Sequence, residues 1–218
     1  MRKKILFIAG LVFLSVAKAH AYDNHDLQVW NTDVQEFKVA PGWKMTLEEE
    51  FRWGNNASEF YYHHYDLGYS HDIGKHFNFG AGYRQVFEKK SGGFTQENEP
   101  YGTASVLWDL AGFRFEDRNR LEYRAFVYQE DQWRYRNKLT MKFPWKFTKM
   151  AIQPYVSDEV FVMFKAISQF NENRFSSGLA FNLTKNIKAE IYYMLRSTKG
   201  TDRWTDTNVL GTKLKIVF

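Results

Sequence analysis

From Phe113 to Arg124 the chain reads F-R-F-E-D-R-N-R-L-E-Y-R, with charge recurring at every second position. Arg114, Glu116, Arg118, Arg120, Glu122 and Arg124 share one phase, whereas Phe113, Phe115, Leu121 and Tyr123 share the other. Successive side chains of a strand point to opposite faces, so a period of two specifies extended chain. A soluble sandwich would have to bury the apolar face of every such strand against a second sheet. The same alternation recurs down the chain to the terminal Phe218. The simplest arrangement is the inverted one, with apolar side chains facing outward into lipid and charges facing inward, as in a transmembrane β-barrel.

The N-terminus agrees with an exported protein. Arg2, Lys3 and Lys4 precede an apolar run from Ile5 to Val16, and Ala19-His20-Ala21 has the form of a processing site. Residues 1–21 therefore read as a cleaved signal peptide, too short in its apolar part to cross a bilayer as a helix. Residues 22–218 read as a single barrel domain. The formal net charge of +5 includes Arg2, Lys3, Lys4 and Lys18, so without the leader the chain is near +1. That weakens any nucleic-acid reading of the pI of 9.2. With no cysteine in the chain, disulfides and thiolate metal sites are excluded. Aromatics make up 18% of the residues, in keeping with barrels that place aromatic rings at both membrane interfaces.

Turn signals divide the chain into eleven extended segments: Leu27 to Phe37, Trp43 to Trp53, Phe60 to Ser70, Phe77 to Glu88, Tyr101 to Leu110, Phe113 to Arg124, Trp133 to Phe143, Met150 to Phe161, Arg174 to Leu183, Ile187 to Arg196, and a last strand running through Leu210 to Phe218. Bacterial single-chain barrels have even strand numbers. The expected fold is thus an all-β, antiparallel transmembrane β-barrel of 12 strands, with 10 as the alternative. Pro41-Gly42, Asp72 to Lys75, Ala111-Gly112 and Thr184 to Asn186 read as short periplasmic turns. Lys89 to Pro100 and Ser197 to Asp202 read as longer extracellular loops, the first a conceivable plug.

On this phasing the basic residues Arg84, Arg114, Arg118, Arg120, Arg124, Arg134, Arg136 and Lys138 line the lumen. Glu48, Glu50, Glu116 and Glu122 are their acidic partners. Inward cations outnumber inward carboxylates about two to one. Two readings follow: a bore filled by salt-bridged ladders in a structural or surface barrel, or a narrow channel with a cationic wall selective for anions or acidic oligosaccharides. A barrel-embedded lipid hydrolase is the third. Against it, no G-x-S-x-G or H-E-x-x-H occurs, and the adjacent His63 and His64 point to opposite faces of a strand. No catalytic residue, metal or cofactor is expected. Gly80 and Gly82 alternate along one strand and read as relief of crowding inside the bore rather than a phosphate loop. The expected partners are outer-membrane lipid, the barrel assembly machinery and small anionic solutes, with no nucleic acid.

The hairpin E-D-R-N-R-L-E-Y-R (Glu116 to Arg124), followed by W-R-Y-R-N-K-L (Trp133 to Leu139) and K-F-P-W-K-F (Lys142 to Phe147), resembles the domain-of-unknown-function family 2490. So do Q-P-Y-V-S-D-E (Gln153 to Glu159), G-Y-R (Gly82 to Arg84) and the ending V-L-G-T-K-L-K-I-V-F (Val209 to Phe218). The resemblance spans nearly the whole chain after the leader. It implies a bacterial outer-membrane β-barrel and assigns no activity or ligand residue.

Overall fold

The computed structural model describes residues 24–90, 93–164, 169–200 and 203–218. The expected leader, residues 1–21, lies outside them. Eleven strands form one closed barrel: β1 (Asp26–Ala40), β2 (Trp43–Gly54), β3 (Glu59–Ile73), β4 (Phe77–Lys90), β5 (Gly93–Leu110), β6 (Phe113–Phe126), β7 (Gln132–Lys142), β8 (Gln153–Phe164), β9 (Gln169–Asn182), β10 (Ile187–Lys199) and β11 (Trp204–Val217). Neither 12 nor 10 strands is correct. The segment expected as Leu27 to Phe37 is one uninterrupted strand, so the count stays odd. In an odd barrel the first and last strands run in the same direction, and the closing seam must be parallel. That seam pairs Asp26 with Thr207 through to Glu36 with Val217, whereas the other ten seams are antiparallel. The Phe218 N–H donates to the Glu36 carbonyl at 2.8 Å, and the Phe37 and Phe218 rings stack at 4.9 Å. The terminal aromatic therefore fastens the seam.

Connections differ from the expected pattern. The stretch Lys89 to Pro100 is not a plug or a loop. β4 continues to Lys90, β5 starts at Gly93, and Lys90 pairs with Gly93. Polar composition misleads there because β5 alternates polar inward residues with Gln96 and Asn98 on its other face. Likewise β10 runs on to Lys199, into the stretch expected as a loop. The longest connection, residues 143–152, lies at the rim expected to hold only short turns, because β8 begins at Gln153 rather than Met150. Loop length therefore does not distinguish the two ends, named here the Gly42 rim and the Asn55 rim. At the Gly42 rim the turns follow local rules. Gly42 has φ 76° after Pro41, and Ala111 and Gly112 (φ 51° and 83°) make a two-residue hairpin connection.

The wall is inverted. Among the described residues twenty polar or charged side chains are buried against ten apolar ones, while thirty-two large hydrophobic side chains are exposed. A water-soluble core would reverse that ratio. Outward aromatic rings gather at both rims. At the Gly42 rim are Trp43, Trp108, Phe113, Phe115 and Phe143; at the Asn55 rim are Trp53, Phe60, Phe94, Trp133, Phe170 and Trp204. Between them lie the exposed side chains of Leu47, Leu67, Leu121, Leu139, Leu179 and Ile191. Outward polar residues occur mid-wall and bond to one another: Asn137 donates to Asp117 and Asn119, and Asn173 donates to Asp158 at 2.8 Å.

Candidate functional site

Inside the barrel the charges form a septum. Its centre is Glu122, which has no exposed surface. Arg136 Nη1 donates to its carboxylate at 2.9 Å, Arg120 Nε lies 2.6 Å away, and Arg134 Nε also donates to it. Arg134 reaches on to Glu99 at 2.7 Å, and Arg124 joins Glu97 and Glu99. Arg136 and Arg118 share Glu159, at 2.8 and 3.0 Å. Arg84 donates to Asp66 at 2.9 Å and to Glu48 at 3.4 Å. Glu48 also meets His64 at 3.3 Å and Lys213 at 3.2 Å. Glu50 accepts from Arg52 Nε at 2.7 Å and from the Thr32 hydroxyl at 2.9 Å. Carboxylates deep in a protein need this kind of multiple charge-assisted bonding, since an unpaired buried charge is very costly.

Aromatic rings fill the space between the ions. Arg52 lies between the Trp30 and Tyr62 rings, 3.6 and 3.8 Å from their centroids. Arg174 lies 5.1 Å from Trp30 and 4.4 Å from Phe161, and Arg136 is 4.7 Å from Phe161. Two contacts cut across the bore as chords: Trp30 on β1 to Arg174 on β9, and Arg120 on β6 to Asp66 on β3 at 3.7 Å. Each of the eleven strands supplies at least one buried inward residue. Examples are Phe161 and His64, each 1% exposed, and Val209, with no exposed surface.

Tyr101 shows how the wall makes room for this packing. Its hydroxyl donates to Asp66 at 2.6 Å while its ring carries Arg120 at 3.5 Å. The phenol end of the ring occupies the space over Gly82, where an added Cβ would collide with the Tyr101 oxygen and fall 2.7 Å from the Leu67 carbonyl. The relief of crowding expected of Gly82 is thus specific to one tyrosine. Gly82→Val is expected to cost about 1–3 kcal/mol through overpacking. Gly102→Ala, which meets nothing within 4 Å, should be near neutral, and urea unfolding in detergent measures both.

Of the expected inward residues, Arg84, Arg118, Arg120, Arg124, Arg134, Arg136, Glu48, Glu50 and Glu122 join the network. Lys138 and Glu116 line a cavity beneath it. Arg114 does not. It sits at the Gly42 rim, half exposed, 3.4 Å from Asp109, because it is only the second residue of β6. Tyr61 shares the sequence phase of the exposed Tyr65, Leu67 and Tyr69, yet it is buried inside. A register shift between Arg52 and Trp53 leaves it as an extra residue opposite β2. Sequence reasoning missed Glu97 and Glu99, which lay in the supposed loop, and Glu172, just before the segment expected to begin at Arg174. It also missed the inward aromatics Trp30, Tyr62, Tyr101 and Phe161. The signal for Glu97 and Glu99 was present: E-N-E-P-Y-G-T continues a period of two directly into the next strand. These added carboxylates reduce the expected two-to-one cationic excess.

Among the described residues no group of three or more His, Asp and Glu side chains is placed to hold a metal ion. No curated protein matches the chain. The model of a family described as "Protein of unknown function (DUF2490)" matches residues 27–207, that is, from β1 into β11. An inverted, closed barrel with paired arginine strands is thus the form taken here by a chain that belongs to the DUF2490 family.

Proposed function

We propose that this protein is a bacterial outer-membrane β-barrel whose bore is closed to solutes, serving as a structural or surface barrel rather than an open pore. The observation that carries this reading is the ion-pair network across the bore, packed among buried inward side chains from every strand. Membrane residence draws support from the inverted wall and its two aromatic girdles. Strand lengths of 11 to 18 residues meet or exceed the 9–11 or so that a tilted membrane strand needs. The outward Asp117 and Asp158 accept bonds from Asn137 and Asn173, and polar groups facing lipid require such partners.

Planar-bilayer recording of the full chain, purified in detergent and reconstituted, tests the reading. The expected trace has no discrete conductance steps, and flotation with lipid vesicles should show the protein embedded. Steady anion-selective steps from the unmodified protein would replace the closed barrel with the channel reading. Failure to float with lipid would remove the membrane assignment itself.

A further inference from the structure

Below the septum, toward the Gly42 rim, the bore widens into a cavity of about 290 Å³, room for about ten waters. It extends from Trp30, Arg52 and His64 at the septum to Lys142, the last residue of β7. Nine cationic side chains line it against five carboxylates. The excess concentrates on the β6–β7 seam, where register places like charges opposite one another: Arg118 with Lys138, and Arg120 with Arg136, while Lys142 lies nearer the rim. Directly opposed like charges destabilise a sheet.

The septum answers only part of this. Arg120 and Arg136 share Glu122. At the next pair down the seam, Glu159 already serves Arg118 and Arg136 while also standing as cross-strand neighbour of Lys138. Among the described residues no carboxylate lies within ion-pair distance of Lys138 or Lys142. Ser157 and Arg120 also line the cavity, although Ser157 Oγ and Arg120 Nη2 are themselves buried behind its surface. Cations crowded side by side with too few carboxylates form an electrostatic vacancy for an anion.

We propose that this cavity binds a small oxyanion, a carboxylate or phosphate borne by a soluble molecule of sugar size or smaller. Arg118 and Lys138 are its charge partners, and Lys142 and Lys213 lie on the approach from the Gly42 rim. The seat stands on the register and the cavity alone. Only entry through a lipid-embedded barrel rests on the function proposed above. Bound anion would neutralise the Arg118–Lys138 repulsion, so ligand and fold stability are linked.

Calorimetric titration of the full chain in a phosphate-free, non-ionic detergent tests this with inorganic phosphate and glucuronate, and with glucose as the neutral control at matched ionic strength. Saturable binding of at least one anion is expected, weakening as salt rises, with none for glucose. Lys138→Gln should weaken it about tenfold, a difference of about 1.4 kcal/mol. The same variant should be no less stable than the parent without anion, because it relieves a like-charge pair; a lysine with a purely structural role would lower stability instead. Lys149→Gln, in the 143–152 connection, should bind as the parent does. No saturable heat with either anion, equal binding of glucose, or unchanged affinity in Lys138→Gln would overturn the proposal. So would binding seen only with phosphate-headed lipid added. None of these outcomes bears on whether the bore conducts.

Discussion

Glu122→Ala is expected to lower folding stability by about 3–5 kcal/mol, the range seen when one member of a buried ion network is removed. Glu122 has no exposed surface and lies against the guanidinium groups of Arg120, Arg134 and Arg136. Truncation leaves those three cations facing each other, with Glu159, Asp66 and Glu99 as their remaining partners. Glu122→Gln keeps the acceptor oxygen and the shape, so its smaller loss isolates the charge. Arg114→Ala is the control. Its pair with Asp109 is half exposed, and such pairs contribute about 0–1 kcal/mol. Urea unfolding in detergent or vesicles, followed by tryptophan fluorescence, reads all three. A loss below about 1 kcal/mol for Glu122→Ala would mean that water reaches the septum and screens its charges.

The second large effect concerns permeability. Arg174 bridges Trp30 on β1 and Phe161 on β8, and Trp30 in turn stacks on Arg52. Replacing Trp30 and Arg174 together by alanine removes one of the two chords across the bore. The expected result is discrete conductance steps in planar bilayers, where none is expected of the parent. Trp30→Ala alone carries a packing cost of about 3–5 kcal/mol, so folding is checked first by resistance of the barrel to detergent at room temperature. Arg174→Ser is the milder variant, because Glu172 keeps Arg196 at 2.8 Å. Folded variants that remain silent would show that the septum holds without this chord, and that closure is shared among the other ion pairs.

Much of the wall was legible. Trp43 to Trp53, Phe77 to Glu88, Phe113 to Arg124 and Ile187 to Arg196 each alternate in the phase the structure adopts, and the turns at Gly42 and Gly112 lie where glycine tolerates positive φ. Such features are local, because the relation of residue i to i+2 sets the face and a turn needs only two or three residues. Tyr61 escaped because a bulge shifts phase without any composition signal. Glu97 and Glu99 escaped because a polar strand near a barrel rim resembles a loop. The septum was legible only as an inventory of charges. Glu122 and Glu116 sit on the same strand in the same phase, yet Glu122 gathers three arginines while Glu116 lines open space.

By itself the sequence determined that the segments after the leader are extended, that their charges and hydrophobic groups take opposite faces, and that the charged face is the enclosed one. Tertiary structure alone decided that eleven strands close through a parallel seam, and that Arg120 reaches Asp66 across two intervening strands. The physical reason is range. Side-chain alternation is enforced by the backbone of each strand, whereas closure and cross-bore pairing depend on stagger accumulated around the whole barrel, which no single segment encodes.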